Sequence, residues 1–250
     1  MKERNILRQD SILDQIIGIY LITGEPVGSR ILAKKQTVAL SPASIRNIMS
    51  DLEDQGLLCQ PHTSAGRIPS ASALKQYVSR LLEKRQEQNK FSGSSFVPSF
   101  DDREDLMEYV SYLLGNRTRQ TSFIAFPQLQ RKRQEKKLFY SCQSHILNHP
   151  EFSNLEIVRK IFMALDDREE FLQKIEKWSW GLNVYIGSEN LIEGLEECSV
   201  ISSTYENSEG AKGYLGVIGP QRMDYENVIN EVKFGAETLS RTLNKEGKNV

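Results

Sequence analysis

The stretch from Leu40 to Pro69, LSPASIRNIMSDLEDQGLLCQPHTSAGRIP, constrains the fold more than any other part of the chain. Ser41 suits an N-cap, because its hydroxyl can accept from a backbone N–H that the first helical turn leaves without a partner, and Pro42 fits the first helical position, where no N–H is required. Ile45, Ile48, Met49 and Leu52 recur at the spacing of one helical face, so they should point inward. The opposite face is left with Ala43, Ser44, Arg46, Asn47 and Ser50. Gly56 stops the helix where left-handed backbone costs least, and Leu57 to Gln60 resume as a short strand. Pro61 to Gly66 is then a tight polar turn, from which Arg67 and Ile68 lead the chain back.

A helix with small and hydrogen-bonding residues near its N-terminus, followed by a hairpin with a basic tip, outlines a winged helix-turn-helix. Such a helix enters the major groove of double-stranded DNA with its first turns leading. Ser41, Ala43 and Ser44 allow close approach of the backbone, while Arg46 can contact guanine bidentately and Asn47 adenine. The hairpin puts His62, Thr63, Ser64 and Arg67 on phosphates or in the adjacent minor groove. The same pattern also fits a surface helix with a polar outer face beside an ordinary hairpin.

Three stretches carry a family resemblance: TGEPVGSRILA, LSPASIRNIMSDLEDQGLLCQPHTSAGRIPS and, much later, GVIGPQRMDY. In these the chain resembles the HrcA family of heat-inducible transcription repressors, over nearly all of residues 1–85 and most of 136–245. The resemblance implies a repressor of chaperone operons that binds an inverted-repeat operator as a homodimer, with the chaperonin GroEL as a modulating partner. It also implies that the second domain is GAF-like. Full-length members carry a long middle region between the equivalents of FIAFPQL and LFYSCQSHILNHPEF, including further strands and an inserted dimerising domain. Here only Gln130 to Lys137 and their neighbours join those stretches. The resemblance therefore implies a shortened member that lacks the inserted domain and part of the sheet.

A chain of 250 residues is long enough for about two domains. Its formal charge of −1 hides an asymmetry, since thirteen Lys and Arg stand against nine Asp and Glu up to Lys90 and the remainder is acidic. A mildly basic N-terminal part beside an acidic C-terminal part suits a DNA-binding module with a separate regulatory one. The expected domains are 1–88 for DNA binding, 89–102 as linker, and 103–250 as a GAF-like regulatory and dimerisation domain truncated in its middle. Cys59, Cys142 and Cys198 are isolated, which suggests neither a disulfide framework nor a metal site. The charged start MKERNILRQD lacks the apolar core of a signal peptide, and no stretch approaches the roughly 20 apolar residues of a membrane span. A soluble cytoplasmic protein is expected.

In chain order, Arg4 to Ile22 reads as a helix with a broad apolar stripe. Ser29 caps a second helix to about Lys35, whose Arg30, Lys34 and Lys35 are candidate phosphate contacts or members of a solvated face. Ser70 caps a helix running to about Glu87, and QEQNKFSGSSFVPSF follows as the linker. Asp101 caps a helix from Arg103 to Leu114, ended by Gly115. The basic run Arg131, Lys132, Arg133, Lys136 and Lys137 reads as a solvated loop, because nothing aromatic interleaves it. Five strands are expected over Ser122–Phe126, Leu138–Ser141, Leu182–Ile186, Ser199–Tyr205 and Tyr214–Ile218, with helices over Leu155–Asp166, Arg168–Trp178 and from about Asp224 to Leu243. The fold class is therefore α+β, a winged helix-turn-helix followed by a partial GAF-like domain.

No enzymatic constellation is evident, and no cofactor is expected. His62, His145 and His149 are scattered, and Gly213, Gly216 and Gly219 lack the pattern of a dinucleotide loop. Arg222, Met223, Asp224 and Tyr225 form either a partner surface or a structural turn. A second reading, from a different class, is a shortened interaction protein that pairs with a full-length repressor or a chaperone, because one half-site contact binds DNA weakly.

Overall fold

A computed structural model describes residues 2–34, 40–62, 65–86, 100, 102–126, 137–207, 210 and 212–246. The chain divides into two units, Met1–Asn89 and Lys90–Val250.

In the first unit, α1 (Lys2–Thr23) is central, with Ile12, Leu13, Ile16 and Ile17 fully buried. It ends where the Thr23 hydroxyl donates to the Ile19 carbonyl at 3.0 Å and Gly24 takes a φ of 72°. The second helix, α2 (Ser29–Lys34), starts one residue earlier than the sequence suggests. The Gly28 carbonyl accepts from the N–H groups of Ile31 and Leu32, so Ser29 lies buried in the first turn instead of capping it. Helix α3 (Pro42–Asp54) packs on α2 and α1 through Ile45, Met49 and Leu52. Its C-terminus closes through Gly56, whose N–H donates to the Glu53 carbonyl while that of Leu57 donates to Leu52. This 6→1 and 5→2 pairing needs left-handed backbone at Gly56, and its φ is 72°.

Strands β1 (Leu58–Cys59) and β2 (Ile68–Pro69) pair antiparallel, with Cys59 opposite Ile68. Val27 adds a bridge to Arg67, so the wing sheet also grips the segment before α2. Ser70 caps α4 (Ala71–Gln86) by accepting from the Ala73 N–H at 3.2 Å, and its hydroxyl donates to the Gly56 carbonyl at 2.8 Å. One serine thus ties the start of α4 to the end of α3. Arg80 of α4 pairs with Asp14 of α1.

The second unit begins with α5 (Arg103–Thr118), capped by Asp102, which accepts from the Glu104 N–H at 3.1 Å. Asp101, the cap suggested by the sequence, lies outside the described residues. Gly115 does not end this helix. A Cβ there would come 2.8 Å from the Cys142 side chain, so the glycine permits close packing mid-helix, and the stop is Arg119 at φ 56°. Five strands follow: β3 (Thr121–Phe126), β4 (Lys137–Ser141), β5 (Asn183–Ile186), β6 (Cys198–Glu206) and β7 (Lys212–Pro220). They form one antiparallel sheet in the order β4-β3-β7-β6-β5. Residues 127–136, where the chain is short relative to the family pattern, join β3 to β4 and lie outside the described residues, including Arg131, Lys132, Arg133 and Lys136. The strands on either side of them pair from Ser122–Ser141 to Phe126–Lys137.

Because side chains alternate across a strand, each face of the sheet has its own partner. On one face Ser122, Ser199 and Leu215 meet α5 and α8 (Tyr225–Glu246), with the Ser122 hydroxyl donating to the Ser111 carbonyl at 2.6 Å. On the other, Phe123, Ala125, Val200 and Ile218 build a core with α6 (Leu155–Asp166) and α7 (Arg168–Ile175). The 3₁₀ turns Gln143–Asn148 and Pro150–Phe152 add Ile146 and Phe152 to that core. The architecture is α+β, a winged helix-turn-helix followed by a GAF-like sheet with helices on both faces. Among the described residues no helix is long and apolar enough to cross a membrane.

Candidate nucleic-acid interface

The first unit presents the N-terminal half of α3. Ser41 adopts extended backbone, at φ −68° and ψ 153°, and its Oγ accepts from the Ser44 N–H at 3.1 Å. The two hydroxyls of Ser41 and Ser44 lie 3.0 Å apart, so each is partly engaged by the other. Ser41, Ala43, Arg46, Asn47 and Ser50 are exposed and Ser44 is half-buried, while Ile45 and Met49 face inward. No acidic residue occupies the first turn, so the positive end of the helix dipole is not neutralised there. Asp51, Glu53 and Asp54 crowd the last turn instead. The helix is therefore attractive to a polyanion at its N-terminal half and repulsive at its C-terminal end.

Arg30 and Lys34 are exposed on α2, as phosphate contacts must be. Lys35, Thr63 and Ser64 lie outside the described residues. His62 is exposed in the wing turn, where its carbonyl accepts from the Ala65 N–H at 2.8 Å. The Gln60 amide braces the same turn by donating to the Ala65 carbonyl at 3.0 Å.

Arg67 is placed differently from the sequence expectation. Its guanidinium turns back to Glu53 of α3, with Nη2 and Nε at 2.8 and 2.9 Å from Oε2, and only 19% of the side chain is exposed. Its backbone exchanges two 2.9 Å hydrogen bonds with Val27. Arg67 is thus a strut joining the wing, α3 and the entry to α2, rather than a group held out for phosphate. The sequence reading missed Glu53, which lies fourteen residues before Arg67 and meets it only once the hairpin has folded back. Glu53 also acts on the wing thiol: burial pushes Cys59 above its usual value, and the nearby carboxylate adds to the shift.

Arg222, Met223, Asp224 and Tyr225 do not form a partner surface. Met223 and Tyr225 are buried, and the Tyr225 hydroxyl donates to the Gln221 carbonyl at 2.6 Å and lies 2.9 Å from Ser199 Oγ. Arg222 pairs with Glu151, and Asp224 accepts from the Asn227 N–H as the cap of α8. The four are a structural turn that fastens β7 to α8. Among the described residues no group of three or more His, Cys, Asp or Glu is placed to hold a metal ion.

Residues 129–229 match the family model described as HrcA protein C terminal domain. Curated relatives match across both units. The "Heat-inducible transcription repressor HrcA" of Syntrophobacter fumaroxidans is 26% identical over 341 aligned positions, covering 96% of this chain and 98% of the relative. That of Geobacter sulfurreducens is 27% identical, covering 98% and 99%. Alignments this long against 250 residues mean that the relatives carry residues with no counterpart here. A solved structure described only as a hypothetical protein has the same fold, with a TM-score of 0.80 at 19% identity, covering 95% of this chain and 98% of its own. The match to the C-terminal family model and the matches to whole-length relatives agree, and HrcA is the family that both units of this chain are similar to.

Proposed function

We propose that the chain is a sequence-specific, DNA-binding transcription repressor acting on chaperone operons. Two copies bind the halves of an inverted-repeat operator, each with α3 in the major groove and the wing beside it. The observation that carries this reading is the exposed Ser41–Asn47 face of a helix whose opposite face, Ile45, Met49 and Leu52, is locked in the core. The relatives' name, heat-inducible transcription repressor, supports a repressor whose action is linked to heat. GroEL, as modulator, is carried over from the family resemblance alone.

Base-edge and phosphate contacts should separate on mutation. Arg46→Ala is expected to weaken operator binding by about 1 to 3 kcal/mol and to relax preference at one base pair. Lys34→Ala is expected to weaken operator and scrambled duplex alike and to flatten the salt slope by about one unit. Fluorescence anisotropy with both duplexes at several salt concentrations measures both effects. Equal wild-type affinity for the two duplexes refutes sequence-specific repression.

The residues that the relatives have and this chain lacks favour a second reading, an interaction protein that pairs with a longer repressor. Sedimentation at micromolar concentration distinguishes them: a strict monomer with and without operator supports the second reading, and a dimer on the operator the first.

A further inference from the structure

Helix α5 carries one uncovered stripe. Asp105, Tyr112 and the cap residue Arg119 are spaced by seven residues, close to two helical turns, so they recur along one side with Glu108 and Asn116 between them. All five are exposed, and Tyr112, at the middle of the stripe, leaves 57% of its surface uncovered. Neighbouring charges are used inside the unit, Glu104 by Lys137 and Arg117 by Glu231. Asp105, Glu108 and Arg119 form no ion pair with another described residue. The helix dipole favours an acid in the first turn and a base at the C-terminus, which accounts for Asp105 and Arg119 taken singly. It accounts neither for Glu108, beyond the first turn, nor for an exposed aromatic ring midway between the charges.

Opposite charges at equal distances on either side of one aromatic residue make the stripe complementary to itself when reversed. At 1.5 Å per residue, both charges lie about 10 Å along the axis from Tyr112. A second α5 laid antiparallel, with both Tyr112 rings on the two-fold axis, brings Asp105 opposite Arg119 of the second copy, Arg119 opposite its Asp105, and Glu108 opposite its Asn116. Grooves flank the helix on both sides and can take the side chains that a second copy presents. One, of about 480 Å³, lies toward β4 and is lined by Tyr109 and Phe139, and a shallower one toward α8 is lined by Leu113 and Phe234.

We infer that α5 is a contact between two copies of this chain, antiparallel about Tyr112. The inference supplies the protein contact of the dimeric repressor proposed above and rests on that reading for its role, while the contact itself draws only on the second unit.

Sedimentation velocity of the whole protein at low salt and without DNA, from micromolar concentration upward, is the test, and the wild type should show a concentration-dependent dimer. Asp105→Arg and Arg119→Asp each set two pairs of like charges against one another in the homodimer, and each should weaken association by about tenfold or more. Mixed one to one, the two variants place every reversed charge opposite its complement, so association should return to the wild-type level. A folding defect in either variant cannot produce that return. Tyr112→Ala should weaken association by about tenfold. A wild-type monomer throughout, wild-type association in either charge variant, or a mixture no more associated than its parts overturns the contact. Because no DNA is present, such a result leaves the comparison of operator with scrambled duplex standing, and equal affinity for those duplexes leaves this contact standing.

Discussion

Gly66→Ala should destabilise the first unit by about 2 to 4 kcal/mol and disable operator recognition, although residue 66 is not itself a candidate DNA contact. An added Cβ would sit 2.4 Å from the Val27 carbonyl oxygen, 2.5 Å from its carbon and 2.9 Å from the Gly28 nitrogen. All three are backbone atoms, so no side chain can swing aside. Relief requires the wing to move away from Val27, which breaks the two 2.9 Å hydrogen bonds between Val27 and Arg67. Two lost hydrogen bonds at about 0.5 to 1 kcal/mol each, with about 1 to 2 kcal/mol for the overpacking that local movement leaves unrelieved, give that range. The displacement also pulls Arg67 from Glu53 and so releases the wing from α3. Urea unfolding followed by far-UV circular dichroism measures the stability change. Anisotropy under conditions where the variant is folded should show specific affinity falling more than non-specific affinity. An unperturbed unfolding curve would mean that the wing does not rest on Val27 in solution.

Local chemistry was legible wherever the cause of an element lies within a few residues of it. The Ser41 cap, Pro42, the Gly56 stop and the Ser70 cap all act over one helical turn, and each has its expected role in the structure. The five strands lie within about two residues of their expected bounds, because β-branched and aromatic runs between turn residues mark them. What distant segments decide was not legible. Gly115 resembles a helix stop and is instead a point of contact with Cys142, twenty-seven residues on. Arg67 resembles a phosphate ligand until folding brings Glu53 to it. Tyr225 is a different case, because a signal was present. Tyr225, Val228, Ile229, Val232, Ala236, Leu239 and Leu243 follow helical spacing and are all buried, so the stripe itself assigns the tyrosine to the core.

Phe123→Ala is the largest single loss expected in the second unit, about 3 to 5 kcal/mol. The ring is fully buried, edge-on to Phe171 at 5.2 Å and to Trp178 at 6.4 Å between centroids. Across the β3–β7 ladder it faces Gly216, and it fills the space a side chain would take there: a Cβ at Gly216 would come 2.6 Å from Phe123 Cζ. Its removal therefore opens a cavity that the opposite residue cannot fill, while α7 and the sheet hold the surrounding walls apart. The two tryptophans of the chain, Trp178 and Trp180, both lie in the second unit, so their fluorescence follows that unit alone. Phe123→Ala should shift the tryptophan transition to lower urea, whereas Gly66→Ala, in the other unit, should leave it in place. DNA binding then tests what the second unit contributes. If it supplies dimerisation, Phe123→Ala lowers affinity for the full inverted repeat while leaving a single half-site bound as before, and equal losses on both duplexes refute that division of labour.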